Sequence, residues 1–417
     1  MRVLVVSQYF WPENFRINDL VADLVGRGHT VTVLTGQPNY PEGVILPEFA
    51  AKPSRYARYA GAEVLRIPLV PRGRGKIRLA LNYASFALAG STLGAWKLRG
   101  RTADVIFNFE VSPITAALPA IVIGALKRTP VFIWILDLWP DTLSAVGAVR
   151  SPRVLNLVKK LVAFIYRRCD LILAQSEAFA ENVRTLSGDG QRFRYFPNWA
   201  EPLFTGTLEA VELAPEMRPY LGTFNILFAG NIGEAQDFPA VLDAAEATRD
   251  RPDIRWLIVG DGRAGESVRT EIRRRGLEKS VVMFGRHPLE RMPSFFRGAS
   301  VLLVSLKRDP VFALTIPGKV QSYLPTGLPL VGMLDGEGAR VIESSGAGLT
   351  CPAGDGAALA ERVKEIAGLT GQERTAMGAR GRAYSAREFD RGQLLSRFET
   401  WMEEVAAGMH ASGRRAR

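Results

Sequence analysis

The stretch Thr315-Ile316-Pro317-Gly318-Lys319 introduces a short predicted helix that ends at Pro325-Thr326-Gly327 and contains no carboxylate. Free backbone amides at a helix start, together with a lysine charge, suit a phosphate group. Gly318 permits close approach of the backbone, and Pro317 is acceptable in a first helical turn. An ordinary helix start with Lys319 in solvent would use the same residues, and the stretch alone does not decide between the two.

Glycine-rich turns follow two predicted strands in the second half of the chain. The turn after FNILFA contains Gly230, Asn231 and Gly233, and the turn after IRWLIV contains Gly260, with Arg263 beside it. One Gly-x-x-Gly turn is weak evidence, since many strand-to-helix turns contain it. With the turn that precedes Lys319 there are three glycine-bearing turns at the ends of strands in one sheet, and they would meet at one edge, which predicts a phosphate site there.

Polar and aromatic residues also follow predicted strands in the first half of the chain: Glu13, Asn14, Glu110, Asp137, Trp139 and Asp141. A carboxylate at a strand end either caps a helix or lies in a cleft, where it takes a proton or accepts hydrogen bonds from sugar hydroxyls. We favour the cleft for Asp137. For Asp141 capping stays equally open, and Glu110 is the weaker candidate of the three.

The elements that must position these residues are short apolar runs, rich in Val, Ile and Phe, that alternate with helical segments. This pattern predicts a parallel sheet covered on both faces, and it restarts at FNILFAGNI. The fold class is therefore α/β, with two tandem Rossmann-like, doubly wound domains facing an interdomain cleft. The predicted segments are a first domain, a linker, a second domain and a C-terminal helix with a basic tail: 1–205, 206–222, 223–390 and 391–417.

Composition narrows the class of protein. With 47% hydrophobic and 23% charged residues, the 417-residue chain is neither disordered nor fibrous. Two isolated cysteines predict neither a disulfide framework nor a metal site, and the apolar N-terminus lacks a signal-peptide cleavage site, so we expect a cytoplasmic protein. The net charge of +11 favours an acidic partner. Nucleic acid is the least favoured of these, because the basic residues lack interleaved aromatic residues on strands.

The basic residues are unevenly distributed. Seven of them flank the uncharged 18-residue stretch LALNYASFALAGSTLGAW: Arg72, Arg74, Lys76, Arg78, Lys97, Arg99 and Arg101. Its length would suit a transmembrane helix, but a small or polar stripe runs along it, formed by Asn82, Ser85, Ala89 and Thr92. An amphipathic helix lying on an anionic membrane surface is the favoured interpretation, and a core helix with solvated basic ends is the alternative.

Several segments along essentially the whole chain carry a family resemblance: SQYFWPENFRINDLVADLVGRGHTVTVLTGQPNYPEG, ILDLWPDTLSAVGAV, RRCDLILAQS, YFPNWAE, FAGNIGEAQDF, VGDG and TIPGKVQSYLPTG. They resemble the family-4 glycosyltransferases of the GT-B fold, and among these the bacterial L-fucosamine and colanic-acid-type fucosyl transferases of surface-polysaccharide synthesis. The resemblance implies transfer from a nucleotide sugar with retention at the anomeric carbon. It implies no metal and no cofactor, a donor in the second domain and an acceptor in the first.

The resemblance and the strand-end residues together define three predicted sets. The catalytic set is Lys319, Asp137 and Glu13. The donor-binding set is Gly230, Asn231, Gly233, Gly260, Arg263, Arg286, Thr315, Pro317, Gly318, Lys319 and Ser322. The acceptor-binding set is Asn14, Tyr40, Glu110, Trp139 and Asp141.

The sequence departs from the family pattern in the donor-binding half. Leu314 and Ser322 stand at the two positions of the usual Glu-x7-Glu motif, and Asn231 and Gln236 stand where an Arg and a Lys are common. A common acceptor-side His is also absent, with Asp137 in its neighbourhood. These departures put the usual donor contacts in doubt, and we expect other residues to replace them: Lys319, Thr315 and Arg263.

The resulting prediction is transfer of a deoxy or N-acetylamino sugar such as N-acetyl-L-fucosamine, from a UDP-linked donor to a polyprenyl-diphosphate-linked saccharide. The product would enter O-antigen, capsule or exopolysaccharide, with the enzyme peripheral on the inner face of the cell membrane. A sugar-nucleotide 2-epimerase is one alternative, but it leaves the basic and apolar segment at 72–101 unexplained. The other is a catalytically silent partner that binds sugar nucleotides.

Overall fold

A computed structural model describes residues 1–73, 75–145, 147, 149 and 151–411. The chain divides into two compact units, the first formed by Met1–Pro197 together with the segment from Gly392, and the second by Asn198–Arg391. Arg74 of the predicted basic cluster and residues 412–417 of the predicted basic tail lie outside the described residues.

The first unit is built on a sheet that has eight strands in the described residues: β1 Arg2–Ser7, β2 Thr30–Gly36, β3 Arg58–Tyr59, β4 Ala62–Ile67, β5 Val105–Glu110, β6 Val131–Ile135, β7 Leu171–Ala174 and β8 Phe193–Tyr195. The strand order is β3-β4-β2-β1-β5-β6-β7-β8, and every pairing is parallel except that of β3 with β4. Because the order reverses between β1 and β5, a crevice is expected at their carboxyl ends.

The helices of this part of the chain are α1 Arg16–Gly26, α2 Pro47–Ala51, α3 Lys76–Ala89, α4 Ala95–Lys97, α5 Ala117–Lys127, α6 Asp141–Ala145, α7 Pro152–Arg168 and α8 Ala180–Ser187. A π-helical turn, Gly90–Gly94, joins α3 to α4, so the predicted 79–96 helix is one continuous helical segment. No helix in the described part of the chain is long and apolar enough to cross a membrane.

The second unit contains a sheet of six described strands, all parallel: β9 Phe224–Ala229, β10 Ile254–Val259, β11 Val281–Gly285, β12 Val301–Ser305, β13 Leu330–Met333 and β14 Gly348–Cys351. The order β11-β10-β9-β12-β13-β14 reverses between β9 and β12. The helices are α9 Phe238–Glu246, α10 Gly265–Arg275, α11 Met292–Phe296, α12 Pro310–Ala313, α13 Gly318–Tyr323, α14 Glu337–Ser345, α15 Gly356–Gly368 and α16 Gly371–Glu388.

The C-terminal helix α17, Arg391–Ala411, packs on the first sheet. Phe398 is fully buried, with its ring centroid 5.0 Å from that of Phe107 on β5 and 5.6 Å from that of Phe196. Burying one such side chain stabilises a fold by about 1.5–3 kcal/mol. Burial of apolar side chains therefore explains why α17 packs on the first unit.

The unit boundary differs from the sequence-based segments. Asn198 already belongs to the second unit, so residues 198–205 are not part of the first domain and the predicted linker 206–222 is part of the second compact unit. Phe204, Leu208 and Met217 are buried, which explains why residues 198–222 pack into the second unit and do not form an exposed linker. Two α/β units, each built on a largely parallel sheet whose strand order reverses, confirm the predicted α/β fold class with two doubly wound domains.

Candidate donor and acceptor sites

A cavity of about 330 Å³ lies at the carboxyl edge of the second sheet, where its strand order reverses. Its size falls within the usual range for small-molecule sites. Residues from the ends of β9 and β10, from the segment after β11, from α13 and from the start of the second unit form its wall. Six residues of the predicted donor set lie on this wall: Gly230, Asn231, Gly260, Arg286, Lys319 and Ser322.

The two glycine turns touch each other at the cavity. Gly230 and Gly260 have φ values of +139° and +141°, a region that side chains disfavour. A Cβ on Gly260 would lie 1.9 Å from the Gly230 carbonyl oxygen, and a Cβ on Gly230 would lie 2.9 Å from the Lys319 Nζ. The absence of side chains at both positions therefore lets the backbone and the lysine ammonium come together.

Lys319 places a cation in this cavity. Its Nζ lies 4.5 Å from the centroid of the Phe228 ring, and among the described residues no carboxylate pairs with it. The residue as a whole keeps some exposed surface, but burial of the ammonium lowers its pKa to about 8. A buried, unpaired ammonium is costly in an empty protein, and an anionic ligand would remove that cost.

Helix α13 is held against β9 by Tyr323, one turn after Lys319. The Tyr323 hydroxyl donates to the Ala229 carbonyl and accepts from the Ala229 amide, at 3.0 Å in both cases. Since side chains three and four residues apart share a helix face, Lys319, Ser322 and Tyr323 all line the cavity. The lysine position is thus fixed by an aromatic anchor and not by an ion pair.

A carboxylate enters the same wall from a distant part of the chain. The Ser322 hydroxyl donates to Glu201 Oε2 at 2.9 Å, and both residues line the cavity. Phe204, two residues after Pro202, has its ring centroid 5.4 Å from that of Phe296, which places this segment against α11. Glu201 was not predicted as a site residue.

Most backbone amides of the 230–233 turn are not available to a ligand, contrary to our expectation. The Gly230 amide donates to the Val259 carbonyl at 2.9 Å, the Ile232 amide to Asp261 at 3.1 Å, and the Gly233 amide to the Gln236 side chain at 3.0 Å. The Gly233 amide therefore bonds within its own turn, and Gly233 does not line the cavity. Arg263, which is exposed and precedes α10, does not line it either.

The turn before α13 also differs from the prediction. Thr315 donates to the Phe312 carbonyl at 2.9 Å, and neither Thr315, Pro317 nor Gly318 lines the cavity. Helix α13 has six residues, so few peptide dipoles align behind its start. The Lys319 charge is therefore the main contribution of this stretch to the binding of an anion.

The rest of the cavity wall is mixed in character. Arg286 and His287 follow β11, and Leu289, Met292 and Phe296 supply an apolar surface. The His287 ring nitrogen Nδ1 lies 2.8 Å from the Arg291 guanidinium, which also binds Glu216 at 2.8 and 3.0 Å. A site with a cation, a carboxylate and an apolar surface matches a ligand that has phosphates, hydroxyls and a ring.

In the first unit, Glu13 holds two loops together. Its carboxylate accepts from the backbone amides of Asn39 and Tyr40, at 2.8 and 2.7 Å, and of Phe10 at 3.2 Å. Burial raises the pKa of Glu13 in spite of these bonds. The predicted catalytic role has no support in this geometry, because the carboxylate is occupied by the backbone; a loop-positioning role fits.

Asp137 and Glu110 come together at the carboxyl edge of the first sheet. Burial raises the pKa of Asp137 to about 6. Glu110 is fully buried, and neither of its carboxyl oxygens has a hydrogen-bond partner among the described residues; burial and the Asp137 charge raise its pKa well above the usual range. Tyr83 lies within electrostatic range of both acids.

The other predicted acceptor residues are dispersed around this edge. Tyr40 is partly exposed and packs against Tyr9, with ring centroids 5.5 Å apart, and the Arg72 guanidinium lies 5.3 Å from the Tyr40 ring. Of the other three, Asn14 is exposed, Trp139 is buried, and Asp141 is the exposed first residue of α6.

Sequence reasoning missed Glu201, Tyr9 and Tyr83. Glu201 lies in YFPNWAE, which carried the family resemblance, but its partner Ser322 is 121 residues away. Tyr9 lies two residues after the end of β1, and a strand-end rule would have found it; Tyr83 is inside a helix and gives no such signal. Among the described residues no cluster of three His, Cys, Asp or Glu side chains could hold a metal ion.

Two families match the chain. The family "Glycosyl transferase 4-like domain" matches residues 14–199, and "Glycosyl transferases group 1" matches residues 223–368, together about four fifths of the chain. Probable glycosyltransferase WbjE of Pseudomonas aeruginosa is 25% identical over 65% of the chain and 68% of its own length. Putative colanic acid biosynthesis glycosyl transferase WcaI of Escherichia coli K12 is 26% identical over 78% and 82%.

Solved structures of similar fold cover nearly the whole chain. Anabaena HepE in complex with UDP and glucose has a TM-score of 0.66 at 14% identity, and the match covers 97% of this chain and 99% of HepE. The α,α-trehalose 6-phosphate synthase of Burkholderia multivorans has a TM-score of 0.70 at 14% identity, with 100% and 99% covered. At these identities the likeness shows the shared fold.

Proposed function

Since the chain belongs to the family-4 glycosyltransferases of the GT-B fold, we propose that it transfers a sugar from a nucleoside diphosphate donor bound in the cavity of the second unit. The observation that carries this proposal is the buried, unpaired Lys319 ammonium beside Gly230. UDP is the proposed nucleotide, in keeping with the UDP bound by the HepE structure, and the sugar is a deoxy or N-acetylamino sugar.

Lys319 would act on the leaving diphosphate. As the bond between the anomeric carbon and the phosphate oxygen breaks, negative charge grows on that oxygen, and a fixed, buried cation binds this state more tightly than the donor itself. The acceptor oxygen forms its bond on the face from which the diphosphate leaves, and its proton passes to the diphosphate. This path retains the anomeric configuration and uses no metal.

Glu201 and Ser322 would bind donor hydroxyls. A carboxylate can only accept hydrogen bonds, so its natural partner in a nucleotide sugar is a pair of vicinal hydroxyls such as those of ribose. Ser322 donates to Glu201 Oε2 at 2.9 Å, which holds the carboxylate at the cavity wall. This pair would supply the carboxylate that position 322 itself lacks.

The proposed acceptor is a polyprenyl-diphosphate-linked saccharide at the inner face of the cell membrane. Asp137 would orient its hydroxyl, because a carboxylate with a pKa of about 6 is mostly ionised at neutral pH and accepts a hydrogen bond. The related WcaI is named for colanic acid biosynthesis, and a role in the synthesis of a surface polysaccharide is proposed here as well.

A transfer assay tests the proposal. The chain is incubated with UDP-linked 6-deoxy and N-acetylamino sugars, with lipid-linked saccharides, and with and without EDTA. Labelled product in the lipid extract, with the donor's anomeric configuration by NMR and no loss in EDTA, is expected. UDP binding without transfer to any acceptor would instead indicate a silent binding partner, and an inverted product would refute the retaining mechanism.

A further inference from the structure

The first unit exposes large apolar side chains on neighbouring helices. Thirteen such side chains are exposed in the described residues, and eight of them lie on α3, α4, α5 and α7: Ile77, Leu81, Leu88, Trp96, Leu126, Val154, Leu157 and Phe164. Helix α5 packs against both the α3–α4 segment and α7. We call the surface formed by these eight side chains the α3–α5–α7 face.

Periodicity shows that the exposed side chains form stripes. Ile77, Leu81 and Leu88 are spaced by four and seven residues, so they share one side of α3. The opposite side packs inward through Asn82, which donates to the Val70 carbonyl at 2.7 Å and accepts from the Gln8 side chain at 2.7 Å. The polar stripe recognised in the sequence is thus partly buried, and the apolar stripe faces outward.

Helix α7 repeats this arrangement. Val154, Leu157 and Phe164 are spaced by three and seven residues and are exposed by 44%, 68% and 43%. Arg153 is next to Val154, and Lys160 lies one turn from Leu157 and from Phe164. Both cations are exposed and flank the same stripe. The face therefore has apolar stripes lined by cations.

The charge of these helices is entirely of one sign. The α3–α4 segment, α5 and α7 contain nine Lys or Arg residues and no Asp or Glu. Outside this face, α1 carries Asp19 and Asp23, and α17 carries Glu399, Glu403 and Glu404. An apolar surface on helices whose charged residues are all cations complements an apolar layer that has an anionic boundary.

We infer that the α3–α5–α7 face lies flat on an anionic lipid bilayer, with its apolar side chains in the interfacial layer and its cations against the headgroups. A second copy of this chain would bring two surfaces of like charge together, which opposes self-association through this face. Trp96, which is 57% exposed with the Arg99 guanidinium 4.0 Å from its ring centroid, has the amphipathic character of residues at membrane interfaces.

This inference deepens the proposed function, since it supplies the surface that meets a lipid-linked acceptor, but its test needs neither donor nor acceptor. Full-length protein is floated with vesicles of phosphatidylcholine alone or with 30% phosphatidylglycerol. We expect binding to the anionic vesicles that falls with added salt, and weak binding to the neutral ones. Equal binding to both compositions, or to neither at low salt, would overturn the inference even if sugar transfer is found.

Two matched pairs of variants locate the surface. R153Q/K160Q should lower partition onto anionic vesicles about 30-fold, whereas R218Q/K279Q, which removes the same charges from exposed sites on the second unit, should leave it unchanged. L88S/L157S should lower binding, and L203S/L221S should not. An equal loss in the test and control pairs, with circular dichroism showing folded protein, would refute the assignment to this face. A dimer in sedimentation that L88S/L157S dissolves would point to a second copy instead.

Discussion

Replacing Lys319 by methionine should stabilise the protein and weaken its binding of nucleotide. Burial lowers the pKa of Lys319 from 10.5 to about 8, so the charged form is disfavoured in the fold. With this shift, the charged Lys319 destabilises the folded state by at most about 3 kcal/mol. The destabilisation is fully present at neutral pH and disappears as the pH rises from 8 towards 10.5. In thermal unfolding at pH 7, K319M should melt at or above the wild-type temperature, and the difference should shrink above pH 8.

Binding should change in the opposite direction. Loss of a charge-assisted contact costs about 1.5–3 kcal/mol, which is about 10- to 150-fold in the dissociation constant of UDP. At pH 8 Lys319 is about half protonated in the protein without nucleotide, and a bound diphosphate should bring it to the fully protonated form. Titration calorimetry in two buffers of different ionisation enthalpy should therefore show uptake of about half a proton on UDP binding, absent in K319M.

Lys279 provides the control, because it is an exposed lysine of the same unit. K279M should leave UDP affinity, proton uptake and melting temperature unchanged. The reasoning fails if K319M binds UDP as tightly as wild type, or if K319M is less stable than wild type in the absence of nucleotide.

Three other substitutions test the surrounding groups. G230A, which places a Cβ 2.9 Å from the Lys319 Nζ at φ +139°, should lower both melting temperature and UDP affinity, whereas G318A, whose Cβ would meet open space, should preserve affinity. E201Q should weaken UDP about tenfold in calorimetry but leave 2′-deoxy-UDP nearly unaffected, and an equal loss for both would remove the ribose contact. Wild-type transfer should fall as the pH drops through about 6, where Asp137 becomes protonated, and D137N should give a low, pH-independent rate; a wild-type profile in D137N would exclude this role.

Much of the donor site was predictable because local rules determine it. Gly230 and Gly260 follow apolar strands, and such turns at one edge of a parallel sheet point to a phosphate site. The hydrogen-bond partners of the backbone amides in the 230–233 turn were not predictable in the same way. The Gly230 and Ile232 amides bind the neighbouring strand end, because the second turn packs on the first, and this depends on a contact between residues about 30 positions apart.

Long-range contacts explain the other differences. The approach of Glu201 to Ser322 joins residues 121 positions apart, so the sequence showed a missing carboxylate without its replacement. The stripes of α3 were visible as periodicity, but which one faces inward depends on the bond between Asn82 and Gln8. Glu13 was recognised as a strand-end carboxylate, yet its bonds to Asn39 and Tyr40 reveal a loop brace.

Photoaffinity labelling with an azido-uridine diphosphate, followed by peptide mapping, tests the central claim most directly. We predict label on peptides of the second unit that line the Lys319 cavity, between Asn198 and Arg391, protected by excess UDP and reduced in K319M but not in K279M. Label confined to residues 1–197, or label in the second unit that neither UDP nor K319M diminishes, would contradict the assignment of this cavity as the nucleotide site.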